Sequence, residues 1–157
     1  MDIIASCLML RVPEDLSKKI LEWAKGNIKE EDLYNKDGKG LQHGHHITLA
    51  PQITDESADQ HILQVMNNTP ALSADVGQVG FFSDPDKDYH VLKIAVDPSN
   101  LEGLHEKIVE GVEMYNPTHD FSPHITIAYV KVGRYSSTAT SAKDPQVSTI
   151  CASKGIE

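Results

Sequence analysis

Positive charge is scarce in this chain. Fourteen Lys and Arg stand against 23 Asp and Glu, a formal net charge of −9 over 157 residues. Affinity for duplex DNA or long RNA comes mostly from Lys and Arg neutralising phosphates, so general binding of long nucleic acid is excluded. Docking on an anionic membrane is excluded on the same ground. A small anion held in one local cleft remains allowed. Long apolar runs are missing too, none approaching the roughly 20 residues that span a bilayer. The apolar start, Ile3 to Leu10, is short, follows Asp2 and runs into Arg11, Pro13 and Glu14, which is not a signal-peptide pattern. Cysteine is limited to Cys7 and Cys151, at opposite ends of the chain. A buried free thiol at each in a reducing cytoplasm is the expectation, with a disulfide unneeded. No linker divides the sequence. One domain over 1–157 buries roughly two-thirds of its unfolded surface and needs no metal or disulfide staple to fold.

What is abundant is histidine, eight in this length. The surrounding patterns predict alternating strands and helices. Ile3 to Val12 reads as a strand. A helix follows Pro13 through about Asn27, with Leu16, Ile20, Trp23 and Ala24 on one face and Gly26 as terminator. Ile28 to Gly44 is a polar, Gly-rich loop, and His45 to Ala50 is a short strand closed by Pro51. Glu56 to Met66 is a helix, Leu72 to Phe82 a strand, Asp84 to Asp88 a turn and Tyr89 to Val96 another strand. Ser99 is the expected N-cap of a helix carrying Leu101, Leu104, Ile108 and Val112. Pro117 to Pro123 is a loop and His124 to Val132 a strand. Ser136 to Lys143 reads as loop and Val147 to Ala152 as one last strand.

The order repeats. Strand, Val12-Pro13, helix, loop and His46-Ile47-Thr48-Leu49 are followed by strand, Asp97-Pro98, helix, loop and His124-Ile125-Thr126-Ile127. The longer Gly-rich loop of the first half absorbs the difference in length. Repetition at this scale predicts two related lobes and an α+β fold. Side chains alternate faces along a strand, so His46 and Thr48 share one face, as do His124 and Thr126, while Ile47, Leu49, Ile125 and Ile127 face the other way. The aliphatic face packs on helices and the polar face looks into a wet cleft. Two imidazoles and two hydroxyls there suit cleavage of a phosphodiester. Histidine serves as base or acid near neutral pH, and threonine hydroxyls donate to the phosphoryl oxygens. This logic requires no metal and no cofactor. It does not say which histidine is base and which is acid.

Paired His-x-Thr motifs, one per lobe, resemble the 2H phosphoesterase superfamily, also called LigT-like or 2′,5′-RNA-ligase-like. The likeness runs from the first strand to about Val132, and Phe121-Ser122-Pro123-His124-Ile125-Thr126-Ile127-Ala128-Tyr129 is especially typical of it. The resemblance implies a bilobal fold of two pseudo-symmetric lobes, each of antiparallel strands with outer helices, around a central cleft, with strand exchange between lobes allowed. It implies metal-independent catalysis by His46, Thr48, His124 and Thr126. The implied substrate carries a 2′,5′ linkage, a cyclic phosphate or a cyclic nucleotide. Small phage-encoded members are similar in size and in the Tyr129-Val130-Lys131 continuation, and some degrade cyclic oligonucleotide signals of bacterial defence (anti-CBASS type). That likeness makes a cyclic oligonucleotide the favoured substrate, in a host cytoplasm, for a monomer without long nucleic-acid or membrane partners. A 2′,3′-cyclic-phosphate or 2′,5′-oligonucleotide phosphodiesterase, or a protein that sequesters a nucleotide uncleaved, is the alternative.

Three further residues are candidate substrate contacts. Tyr129 offers a stacking surface for a base, although simple alternation puts it on the aliphatic face. Lys131 and Arg134, at the strand end, are placed to reach a phosphate. The loop from Asn35 to Gly44 leads into His46 and is expected to cover a compact ligand like a lid. His43-Gly44-His45-His46 also reads as a metal cluster, but alternation puts His45 opposite His46. His61, His90, His105 and His119 are isolated and expected to be structural.

Overall fold

The computed structural model describes residues 6–55, 57–114 and 121–134. Among the described residues, alternating aliphatic side chains mark five strands: β1 (Ser6–Arg11), β2 (His46–Ile53), β3 (Val76–Ser83), β4 (Tyr89–Val96) and β5 (His124–Lys131). They make one antiparallel sheet in the order β1-β2-β5-β4-β3. Three α-helices among the described residues accompany it: α1 (Glu14–Asn27), α2 (Ala58–Asn67) and α3 (Glu102–Val109). In α1, Leu16, Ile20 and Ala24 recur at helical spacing and are buried. In α3, Leu104 and Ile108 do the same. Helix α1 packs against β5 and α3 against β2, so each half's helix crosses to the other half's central strand, while α2 lies on α3. None of these helices is long and apolar enough to cross a membrane.

The expected α+β fold with two related halves is borne out, and the two lobes are halves of one sheet. The central strands, β2 and β5, touch at one register position, Ile47 opposite Ile125. They run antiparallel and overlap only at their first residues. Beyond that overlap, β5 is flanked by the Gly-rich loop through Leu33 opposite Val130 and Leu41 opposite Ala128, and β2 ends beside Met114. Ile47 and Ile125 are fully buried among α1 and α3 residues. Burying each contributes roughly 1.5–3 kcal/mol. A one-residue slip would exchange them for histidine or threonine, so the register is firmly specified.

Several local expectations are corrected. Cys7 is exposed where a buried thiol was expected, and Cys151 lies outside the described residues. Each central strand carries a bulge at the same place. Thr48 and Ala50 pair with Met9 and Leu8, leaving Leu49 extra. Thr126 and Ala128 pair with Lys93 and Leu92, leaving Ile127 extra. Both residues of each bulge, Leu49-Ala50 and Ile127-Ala128, are completely buried, and beyond them the alternation is inverted. Strand β2 continues past Pro51 to Ile53, and β3 starts only at Val76. Asp97, not Ser99, caps the turn before α3: its carboxylate accepts from the Ser99 N–H at 2.9 Å and the Ser99 hydroxyl at 2.6 Å. The expected loop at Ser136 to Lys143 and strand at Val147 to Ala152 lie outside the described residues.

Candidate active site

With Ile47 opposite Ile125, antiparallel pairing places His46 opposite Thr126 and Thr48 opposite His124. The two repeated tripeptides therefore are the overlap of the central strands. Their isoleucines point into the core and their four polar side chains share the other face, where all four are half-buried. A pseudo-twofold axis between Ile47 and Ile125 relates one His-Thr pair to the other. The sheet brings together all four expected catalytic residues, drawn from positions 78 apart in the sequence.

Both rings are held in the same way. His46 Nδ1 lies 3.3 Å from the Gly44 carbonyl oxygen, and His124 Nδ1 lies 3.0 Å from the Ser122 carbonyl oxygen. A carbonyl only accepts, so each Nδ1 carries the proton and donates. Nε2 is left as the chemically active atom of each ring. Gly44 turns its carbonyl toward the ring from a left-handed backbone, φ +64, a conformation that a residue with a Cβ adopts only with strain. In the second half, the buried Pro123 follows Ser122 and stiffens the equivalent approach.

The outer strands break the symmetry. Arg11 of β1 is opposite His46, and Lys93 of β4 is opposite Thr126. Met9 is opposite Thr48, and Ala95 is opposite His124. One row across the face thus ends in two cations and the other in apolar side chains. Lys93 Nζ sits 3.7 Å from the Phe82 ring centroid, and the Phe82 ring meets His124 edge-on at 4.8 Å. Neither Arg11 nor Lys93 pairs with a carboxylate among the described residues. Burial lowers the Lys93 pKa. The His124 pKa is also lowered, chiefly by burial and further by the charges of Lys93 and His46, against the opposing effect of the Ser122 bond. Arg11, Lys93 and Phe82 were not legible as site residues. Alternation assigns Lys93 a face of its own strand, but only the sheet order reveals that Thr126 is its neighbour.

The remaining candidates fall out differently. The bulge at Ile127 reverses the expectation for Tyr129. It pairs with Val91, which shares a face with Lys93, so Tyr129 lies on the polar face with Thr126. Lys131 and Arg134 are engaged elsewhere: Lys131 Nζ donates to the Glu31 carbonyl at 2.8 Å, and Arg134 Nε is 3.7 Å from the Asp32 carboxylate. They brace the turn at Glu30–Asp32 against the end of β5 and do not reach the four-residue centre. The Gly-rich loop is fastened to β5, with Tyr34 N–H donating to the Tyr129 carbonyl, Tyr129 N–H to the Gly40 carbonyl and Gln42 N–H to the Ile127 carbonyl. It is a fixed wall where a hinged lid was expected.

His45 cannot join His43 and His46 around an ion. It is buried on the core side with Nδ1 2.5 Å from Ser17 Oγ on α1. No set of three His, Cys, Asp or Glu side chains among the described residues is arranged to hold a metal.

A family model described as the 2′-5′ RNA ligase superfamily matches residues 12–144. No curated protein matches the sequence.

Proposed function

The chain belongs to the 2′-5′ RNA ligase superfamily of 2H phosphoesterases, and from that premise we propose that it cleaves a phosphodiester in a small nucleotide, using His46 and His124 as a base–acid pair. One observation carries the reading. The register Ile47 opposite Ile125 sets two imidazoles and two hydroxyls on one face, related by a twofold axis. A phosphoryl group centred on that axis meets one histidine on each side, which is the arrangement that in-line displacement needs. Thr48 and Thr126 donate to its non-bridging oxygens, and Lys93 and Arg11 offset its charge.

His124 is the base of the first step. Its burial, and to a lesser extent the nearby Lys93, disfavour its protonated form, and Nδ1–H is committed to Ser122. His46 is the acid, facing the departing oxygen from the other side of the axis. His124 Nε2 takes the proton from the attacking hydroxyl as the new O–P bond forms. The opposite P–O bond breaks, and His46 Nε2 delivers its proton to the departing oxygen. When the attacking group is the neighbouring 2′-OH, the product is a 2′,3′-cyclic phosphate. Water attack gives the open monoester.

A cyclic oligonucleotide of the kind used as a defence signal is the favoured substrate. The net charge of −9 opposes a long polyanion, and the cations at the site are few and local. The four groups come from one chain, so the reading needs no second copy. The deciding experiment incubates the protein with 3′,5′-linked cyclic di- and trinucleotides in ribo and 2′-deoxy forms, and with 2′,3′-cyclic phosphates and 2′,5′-oligoadenylates, and identifies early products by mass spectrometry. Cleavage of ribo but not 2′-deoxy substrates supports 2′-OH attack. Recovery of every nucleotide intact, but bound, would replace the enzyme with a sequestering protein.

A further inference from the structure

Beyond the four-residue centre, the same sheet face carries a second set of groups. The bulge at Ile127 brings Tyr129 onto it, three residues past Thr126, roughly 10 Å along the strand. Tyr89, two residues before Val91 on β4, meets Tyr129 edge-on at 5.4 Å. Tyr34, buried on the Gly-rich loop, packs at 5.1 Å from Tyr89 and donates its hydroxyl to Asp88 at 2.9 Å, closing the far end. Lys39, also on that loop, holds its Nζ 5.3 Å from the Tyr89 ring centroid and 5.9 Å from that of Tyr129. It pairs with no carboxylate among the described residues. Its position follows from the bonds that tie Tyr34 and Gly40 to Tyr129 on either side of it.

Along the face Lys93 lies beside the scissile position and Tyr129 and Tyr89 follow it, with the Lys39 ammonium set over both rings. In a chain with so few Lys and Arg, two half-exposed tyrosines with one lysine towards the scissile position and a second over their rings, neither paired with a carboxylate among the described residues, match a ligand that carries a base and a second phosphate. We propose that Tyr129, Tyr89 and Lys39 form a second subsite that takes a nucleobase together with a second phosphate. On this proposal the substrate carries at least two phosphates, and a mononucleoside cyclic phosphate with a free 5′-OH fills only half of the site. The inference rests on the phosphodiester reading for its scissile position, but not on turnover. Stacking tolerates any base, so the subsite selects for size and charge rather than base identity.

The test measures binding by calorimetry to the His124→Ala protein, which spares the ligands. The probes are adenosine 2′,3′-cyclic phosphate, the same compound with a 5′-phosphate, a 5′-phosphorylated 2′,5′-linked diadenylate and cyclic diadenylate. Ligands with two phosphates are expected to bind roughly 10-fold or more tightly than the one with a single phosphate, a loss of stacking and charge on that scale being typical. Lys39→Gln and Tyr129→Leu should each shrink that ratio towards one, while Tyr129→Phe, which keeps the ring, preserves it. A gain shared by the 5′-phosphorylated mononucleotide identifies a terminal phosphate, and a gain confined to the dinucleotides identifies the linking one; either supports the subsite. Equal affinities for all four probes, or a ratio untouched by Lys39→Gln and Tyr129→Leu, overturns it. In the wild-type protein the preference should appear in KM rather than kcat. If no probe is turned over but the binding ratio stands, the phosphodiesterase reading fails and the subsite survives.

Discussion

Mild acid should destabilise this protein through His45, a residue outside the proposed chemistry. Its side chain is 1% exposed. Nδ1 is engaged by Ser17 Oγ at 2.5 Å, and Nε2 has no hydrogen-bond partner among the described residues. Burial, with smaller contributions from the charges of His43 and His46, lowers its pKa from 6.5 to about 4. The folded protein therefore refuses a proton that the unfolded chain accepts. Between about pH 6.5 and 4 the unfolded state binds more protons, so stability rises with pH there. This contribution is fully present above pH 6.5 and is lost as the pH falls towards 4. At about 1.36 kcal/mol per unit, the whole shift is worth about 3 kcal/mol, and roughly 2 kcal/mol of it is gone near pH 5. Against a typical total of 5–15 kcal/mol, that is a large fraction. The assay is urea unfolding of the wild-type protein and His45→Gln at several pH values from about 7.5 to 4.5. Glutamine keeps a polar side chain but cannot titrate, and both proteins share every carboxylate and the other histidines. The stability advantage of the wild type over the variant should shrink by roughly 2 kcal/mol between pH 7 and pH 5. Parallel pH dependences for the two proteins would refute the reasoning.

His46→Ala and His124→Ala should each lower kcat on a cleavable nucleotide by roughly 10² or more, the scale of a lost general acid or base; a loss of only a few-fold removes the paired-histidine mechanism. Thr48→Val and Thr126→Val should each cost roughly 10² in kcat with little change in far-UV circular dichroism, the scale for one lost oxyanion donor. Lys93→Met removes a positive charge that lowers the His124 pKa, so the acidic limb of the kcat/KM profile should move to higher pH; an unmoved limb means that Lys93 does not act on the base. Activity should persist after exhaustive dialysis against EDTA, because base, acid and phosphate donors are all side chains, and restoration of a lost rate by zinc or manganese would contradict that.

The family and its chemistry were legible because they are written in short-range pattern. Two copies of His-Ile-Thr, each followed by an aliphatic residue, report a duplicated strand with one dry and one wet face, and strand alternation needs no knowledge of neighbours. Helical spacing did the same for Leu16, Ile20 and Ala24, all buried as expected. The expected lid failed for a different reason. Loop composition says that residues 33–42 are not a strand or helix, but not that an exposed edge of β5 lies beside them. Backbone groups left unpaired there draw the loop in and fix it.

Residue identity and spacing by themselves determined the α+β class, the two related halves, the polar and apolar faces of each central strand, and which four polar residues those faces carry. Only the tertiary structure decided that the halves join by overlapping those two tripeptides at Ile47 and Ile125. It alone put Lys93 beside Thr126 and turned Lys131 and Arg134 away to the turn at Glu30–Asp32. The face of Tyr129 shows why. One extra residue, Ile127, inverts every side chain beyond it, and whether a strand carries such a bulge depends on the pairing of Thr126 and Ala128 with Lys93 and Leu92. That pairing joins segments more than 30 residues apart in the chain, so local alternation carries no record of it.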